Sequence, residues 1–99
     1  MLLEFLLAAV LSTPAQVEQD YDTREAEAVE FYENYIDYQI HVFWTPTHQT
    51  VEFIRDIPQK YHDKIREDLE SAGWSVSIER YINPACQYIE YYKFTVTKK

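Results

Sequence analysis

One cysteine, three histidines and seventeen carboxylates are the side chains of this 99-residue chain with the strongest claim to chemistry. Cys86 would be a nucleophile if His41 or His62 took its proton, but no local pattern sets either imidazole beside it. His41, His48 and His62, with Asp63, have the types of a zinc site. No two of these histidines stand i, i+4 on a helix, and the short Cys/His spacings of structural zinc sites are missing. Glycoside hydrolysis needs two carboxyl groups facing each other across a pocket, and acids this abundant single out no such pair. Gly73 is the only glycine, whereas a P-loop, a dinucleotide fingerprint and a nucleophile elbow each need several. The reading is therefore non-enzymatic, with no catalytic residue, no metal and no cofactor.

Charge is the feature that remains. The chain carries a formal net charge of −8 and a pI near 4.7, which disfavours direct binding to nucleic acid, since phosphate recognition rests on Lys and Arg. Within residues 17–37 there are eight acids and one base, Arg24, so this stretch alone carries a net −7. Like charges at i, i+3 and i, i+4 oppose helix formation by a few tenths of a kcal/mol per pair, and solubility does not require such segregation. Two readings stand side by side: a solvated helix face, or an acidic face (Glu18, Asp22, Glu25, Glu30, Glu33) that recognises a basic partner.

The elements that must position these groups follow from periodicity. Thr13-Pro14-Ala15-Gln16 has the form of a capping box with proline at the first helical position. From there Val17, Tyr21, Ala28, Phe31, Tyr32 and Tyr35 recur as one stripe of an amphipathic helix. Beyond residue 35 the pattern alternates through Ile36, Tyr38, Ile40, Val42 and Trp44, which predicts a strand. Residues 51–55 predict a second strand. Ile57, Tyr61, Ile65, Leu69 and Ala72 predict a helix stopped by Gly73 in the left-handed conformation. Trp74, Val76 and Ile78 alternate in the next strand. A last strand over residues 88–97 sets Tyr88, Tyr92, Phe94 and Val96 on one face and Tyr91 on the other, and the final two strands pair as a hairpin.

Ahead of the capping box, residues 1–11 hold ten apolar residues broken only by Glu4. A helix over residues 1–12 would be about 17 Å long, too short for a bilayer. A signal peptide cleaved near Thr13-Pro14-Ala15 is the rival, weakened by the lack of Lys or Arg ahead of the apolar run. The expectation is a retained helix in which Leu2, Leu3, Phe5, Leu6 and Leu7 contact the domain, a second copy or a partner. A single cysteine suits a reducing compartment, so the expected location is cytoplasmic, with secretion or membrane anchoring as the alternative.

Taken together, these elements predict one α+β domain over residues 1–99, in the order α-α-β-β-α-β-β. Helices would cover one face of a mainly antiparallel four-stranded sheet. The acidic Tyr-rich helix, the "DLESAGWSVSIERY" unit and the Tyr/Lys/Thr-rich closing strand resemble the small α+β proteins encoded by tailed bacteriophages. That resemblance, carried by style rather than by a motif, implies a virion or assembly component, or a small inhibitor of host machinery. Three functions are thereby in play. The first is a protein-binding, self-associating domain using the apolar N-terminus and Tyr91. The second is an acidic inhibitor that mimics nucleic acid in the basic groove of a nucleic-acid-binding protein. The third is a secreted or anchored small domain.

Overall fold

The computed structural model describes residues 11–82, 84, 85 and 88–99. The capping box forms as its residue types dictate: the Gln16 N–H donates to Thr13 Oγ1 at 3.2 Å and the Thr13 N–H donates to Gln16 Oε1 at 2.9 Å. Helix α1 then runs from Pro14–Phe43, thirty residues without interruption. It passes straight through the segment whose alternation predicts a strand. The reason lies in which residues are buried there. Ile36 and Ile40 are in the core and Trp44, one turn further, is half-buried, whereas Tyr38 and Val42 are exposed. The inward line is an i, i+4 line, and the period-2 pattern contains it only by coincidence. The helix stops where the Trp44 N–H donates to the Ile40 carbonyl at 2.9 Å, because Thr45 precedes Pro46 and is steered away from helical angles.

A tight turn closed by reciprocal Thr45–His48 backbone bonds leads into β1, Thr50–Arg55. A 3₁₀ turn, Gln59–Tyr61, opens helix α2, His62–Ser71. Gly73 (φ 101°) ends it in the left-handed region, with its N–H on the Glu70 carbonyl at 3.1 Å. Strands β2, Trp74–Tyr81, and β3, Tyr91–Lys98, follow. The sheet has three strands, all antiparallel, in the order β1-β3-β2, so the last strand of the chain is the central one.

The expected four-stranded sheet with three helices is thereby corrected. Among the described residues there are two α-helices and three strands, in the order α1-β1-α2-β2-β3, because the first expected strand is the C-terminal third of α1. The expected N-terminal helix lies outside the described residues as far as residue 10, and with it Leu2, Leu3, Phe5, Leu6 and Leu7. Tyr88, expected in the last strand, precedes it and is exposed.

Register explains the core. Val51 pairs with Val96 and Phe53 with Phe94 on one side of β3, while Val76 pairs with Val96 and Ile78 with Phe94 on the other. This row faces the helices. Ile36 and Ile40 from α1, Ile57 and Tyr61 ahead of α2, and Ile65 within it close over the row. Phe53 and Phe94 stack with centroids 5.2 Å apart, and the Tyr35 ring meets Phe53 edge-on at 5.7 Å. Where α1 ends, Trp44 meets Trp74 at the start of β2, edge to face at 6.4 Å. The opposite sheet face is polar around Lys93–Glu52, 3.4 Å apart, and the Thr50 and Thr97 hydroxyls, 3.0 Å apart, and it also carries Ile54, Tyr81 and Tyr91.

Candidate functional site

Helix α1 has two halves in different surroundings. From Val29 onward its inward line is Val29, Ile36 and Ile40, and this half packs on the sheet and α2. Continued toward the N-terminus, the same line becomes Glu25, Asp22 and Glu18. With nothing apolar to bury, the helix leaves the domain, and every residue in 14–24 is exposed. A helical overhang results, started by the capping box and fringed by Glu18, Asp20 and Asp22, with Glu27 and Glu30 exposed where the helix meets the domain. Val17 and Tyr21 are exposed on it as well.

The five acids of the expected face divide. Glu18, Asp22 and Glu30 are free on the surface. Glu25 is half-buried and accepts from Lys60 Nζ at 3.0 Å. The Tyr61 hydroxyl and then Lys60 hold its carboxyl below the usual range. Glu33 is also turned inward, toward Asp68 of α2. Its Oε1 is buried without a conventional donor, and burial followed by the facing Asp68 carboxyl raises its pKa to about 7. Asp68 moves the other way, lowered first by the hydrogen bond from Glu33 and then by Lys64, whose ammonium lies 3.0 Å from its carboxylate. Of these two facing carboxyls, Glu33 is the one pushed toward the protonated form and Asp68 the one pushed toward the charged form. Glu25 therefore ties α1 to the 3₁₀ turn ahead of α2, Glu33 faces α2, and the free acids Glu18 and Asp22 belong to the overhang.

A second feature escaped the sequence reading. Lys60, Arg66 and Arg80 converge on a broad cleft between α2 and the β2–β3 pair, with His62 and Tyr92 in its lining. His62 is buried: its Nε2–H donates to the Ile57 carbonyl at 2.8 Å and its ring lies edge-on to Tyr92 and Phe94. The cations are all partnered by acids, Lys60 by Glu25, Arg66 by Asp63 at 3.6 Å, and Arg80 by Glu90 at 3.7 Å. Glu90 also accepts from the Tyr92 hydroxyl at 2.7 Å, which raises the Tyr92 pKa. These pairs line the cleft beside His62 and Tyr92, and each of its cations has an acidic neighbour. The only local signal for a buried histidine was its place at i+5 from Ile57 and i−3 from Ile65, on the apolar face of the helix.

The remaining candidates stay apart. His41 bonds the Asp37 carbonyl at 2.8 Å on the exposed side of α1, and His48 sits in the turn before β1. Among the described residues no group of three His, Cys, Asp or Glu side chains is arranged to hold a metal. Cys86 lies outside the described residues. Tyr91 is half-buried opposite Tyr81 at the end of the β2–β3 pair, near exposed Ile82, Tyr88 and Ile89. No described helix is long and apolar enough to cross a membrane. No family model matches the chain, and neither a curated protein nor a solved structure matches it.

Proposed function

We propose that this chain is a non-enzymatic protein-binding domain whose docking element is the overhanging N-terminal half of α1 and whose partner presents a basic surface. The observation that supports this reading most is the overhang itself. A capped helix, free of its own domain over residues 14–24, combines exposed acids with exposed Val17 and Tyr21. An isolated helical segment this short is marginal in water, so the rigid packed half acts as a splint that presents it preformed. The basic groove of a nucleic-acid-binding protein is one surface of the required kind. A pure charge mimic would have no use for Val17 and Tyr21, which favours a mixed apolar and electrostatic contact.

A photo-crosslinker at position 21, and another at position 54 on the opposite sheet face, test the reading in a lysate of the source cell at about 50 and 300 mM salt, where screening differs strongly. The expected product is a basic protein captured from position 21 alone. Its yield should fall with salt and with Glu18, Asp22 and Glu30 replaced by Gln or Asn. Equal capture from both positions, or none, would remove the reading.

A further inference from the structure

The overhang and the packed half share a second apolar line, which the fold uses only at Ala28 and Tyr35. Val17, Arg24, Phe31 and Tyr38 recur every seven residues, and Tyr21, Ala28, Tyr35 and Val42 recur every seven residues between them. Together they step by four, three, four, three along almost the whole helix, the spacing of the d and a positions of a coiled coil. At 100° per residue this line lies roughly 120° around the helix from Ile36 and Ile40 and drifts by about 20° per heptad, as a left-handed supercoil requires. Its other apolar members are on the surface: Val17 is 52% exposed, Tyr21 50%, Phe31 60%, Tyr38 62% and Val42 50%, while Ala28 and Tyr35 are half-buried where the line passes the core. Burial in this domain does not account for aromatic and branched side chains at those five exposed positions.

We infer that α1 contributes one helix of a heterotypic coiled coil, and that the missing helix belongs to a partner with an apolar heptad seam flanked by Lys or Arg. The flanks decide against a second copy of this chain. Positions beside the seam in the overhang are Glu18 and Glu25 on one side and Asp20 and Glu27 on the other. Glu25 is engaged by Lys60, which leaves Glu18, Asp20 and Glu27 for the partner. Self-pairing would set acid flank against acid flank, and a parallel in-register pair would also bury Arg24 against its own copy. A basic-flanked helix reverses both objections. Arg24, the one charge in the seam, calls for an Asp or Glu in the facing layer and so fixes the register, as a single polar seam residue does in coiled coils generally. This inference rests on the protein-binding reading and narrows it to a helix in a defined register.

The test uses synthetic helical peptides and the intact chain, with affinity read by fluorescence anisotropy. The first peptide has four heptads with a Leu/Ile seam, Lys flanks and one Glu in the layer facing Arg24. A twin carries Leu in that layer, and a third has the same composition in shuffled order. The Glu peptide should bind best, and Arg24→Leu should weaken it about tenfold while improving the Leu twin, since an unpaired buried charge is what each mismatch creates. Phe31→Ser with Tyr38→Ser should weaken the Glu peptide at least about tenfold with an unaltered melting temperature, because both side chains are exposed in the free domain. Shuffled and ordered peptides binding alike would overturn the inference, leaving charge alone. A wild-type dimer in sedimentation that dissociates on Phe31→Ser would overturn it in favour of a second copy. If the lysate crosslink from position 21 survives Phe31→Ser with Tyr38→Ser, the coiled coil falls while the protein-binding reading stands.

Discussion

The two halves of α1 are built from the same helix-forming stock and differ in one row of side chains. Where that row reads Val29, Ile36 and Ile40, the helix is held by the sheet, while Glu25, Asp22 and Glu18 let it project into solvent. Local propensity carries the helix across both environments without a break. What changes at the boundary is the source of stability: tertiary burial on one side, capping and helix continuity on the other. A helix can thus be a core element and a presented surface at once, provided its apolar residues change face at the domain edge.

The sharpest way to break the comparison is to empty the packed half. Ile36 is fully buried, and Ile36→Ala should cost about 2 to 5 kcal/mol in urea unfolding, through lost transfer energy and a residual cavity. A cost near zero would mean that the packed half is no better anchored than the overhang.

At the boundary the comparison takes a pH-dependent form. The folded state holds a proton on Glu33 up to about pH 7, whereas the unfolded carboxyl loses it near 4.5. The folded pKa is the raised one, so this group's stabilising contribution is complete below about pH 4.5 and is lost as pH rises through about 7. Asp68 and Lys64 face it from α2, and Glu30 adds repulsion from α1 itself. Glu33→Gln supplies a permanent donor toward Asp68. It should raise the melting temperature at pH 8 and leave it nearly unaltered at pH 5; a uniform shift at both would refute the raised Glu33 pKa.

Smaller still is the effect of removing the cap. Thr13→Ala should loosen the first turns by about 1 kcal/mol, visible as faster amide exchange over residues 17–21, with global stability unmoved because no core contact depends on them. Last, Val17→Ala and Tyr21→Ala should change global stability by less than about 0.5 kcal/mol while weakening partner capture. A clear fall in melting temperature for either would show that the overhang packs on its own domain.

Much of the architecture was legible in the residues. The Thr13–Gln16 box, the Gly73 stop, the stripe of α2 and, apart from Tyr88, the inward rows of β2 and β3 are local signals, each readable from residues within a few positions. The stretch from Ile36 to Trp44 was not, because the i, i+4 line Ile36, Ile40, Trp44 is also a subset of an alternating one. Only the sheet's occupancy by β1, β2 and β3 decides which period is used. The site divides the same way. Exposure of Glu18 and Asp22 follows from composition, whereas the engagement of Glu25 by Lys60 and of Glu33 by Asp68 joins residues thirty-five apart in the chain, beyond the reach of any local pattern.

Both tryptophans of the chain, Trp44 and Trp74, meet where α1 ends and β2 begins. Intrinsic fluorescence therefore has a single vantage point, at the far end of the helix from the overhang. Tryptophan emission is a reporter of helix-to-sheet docking and is blind to anything that happens near Tyr21, whereas far-ultraviolet ellipticity sums over every turn. In a thermal melt the ellipticity should begin to fall before the emission does, and the gap between the two curves is an optical measure of how independently the projecting turns fray.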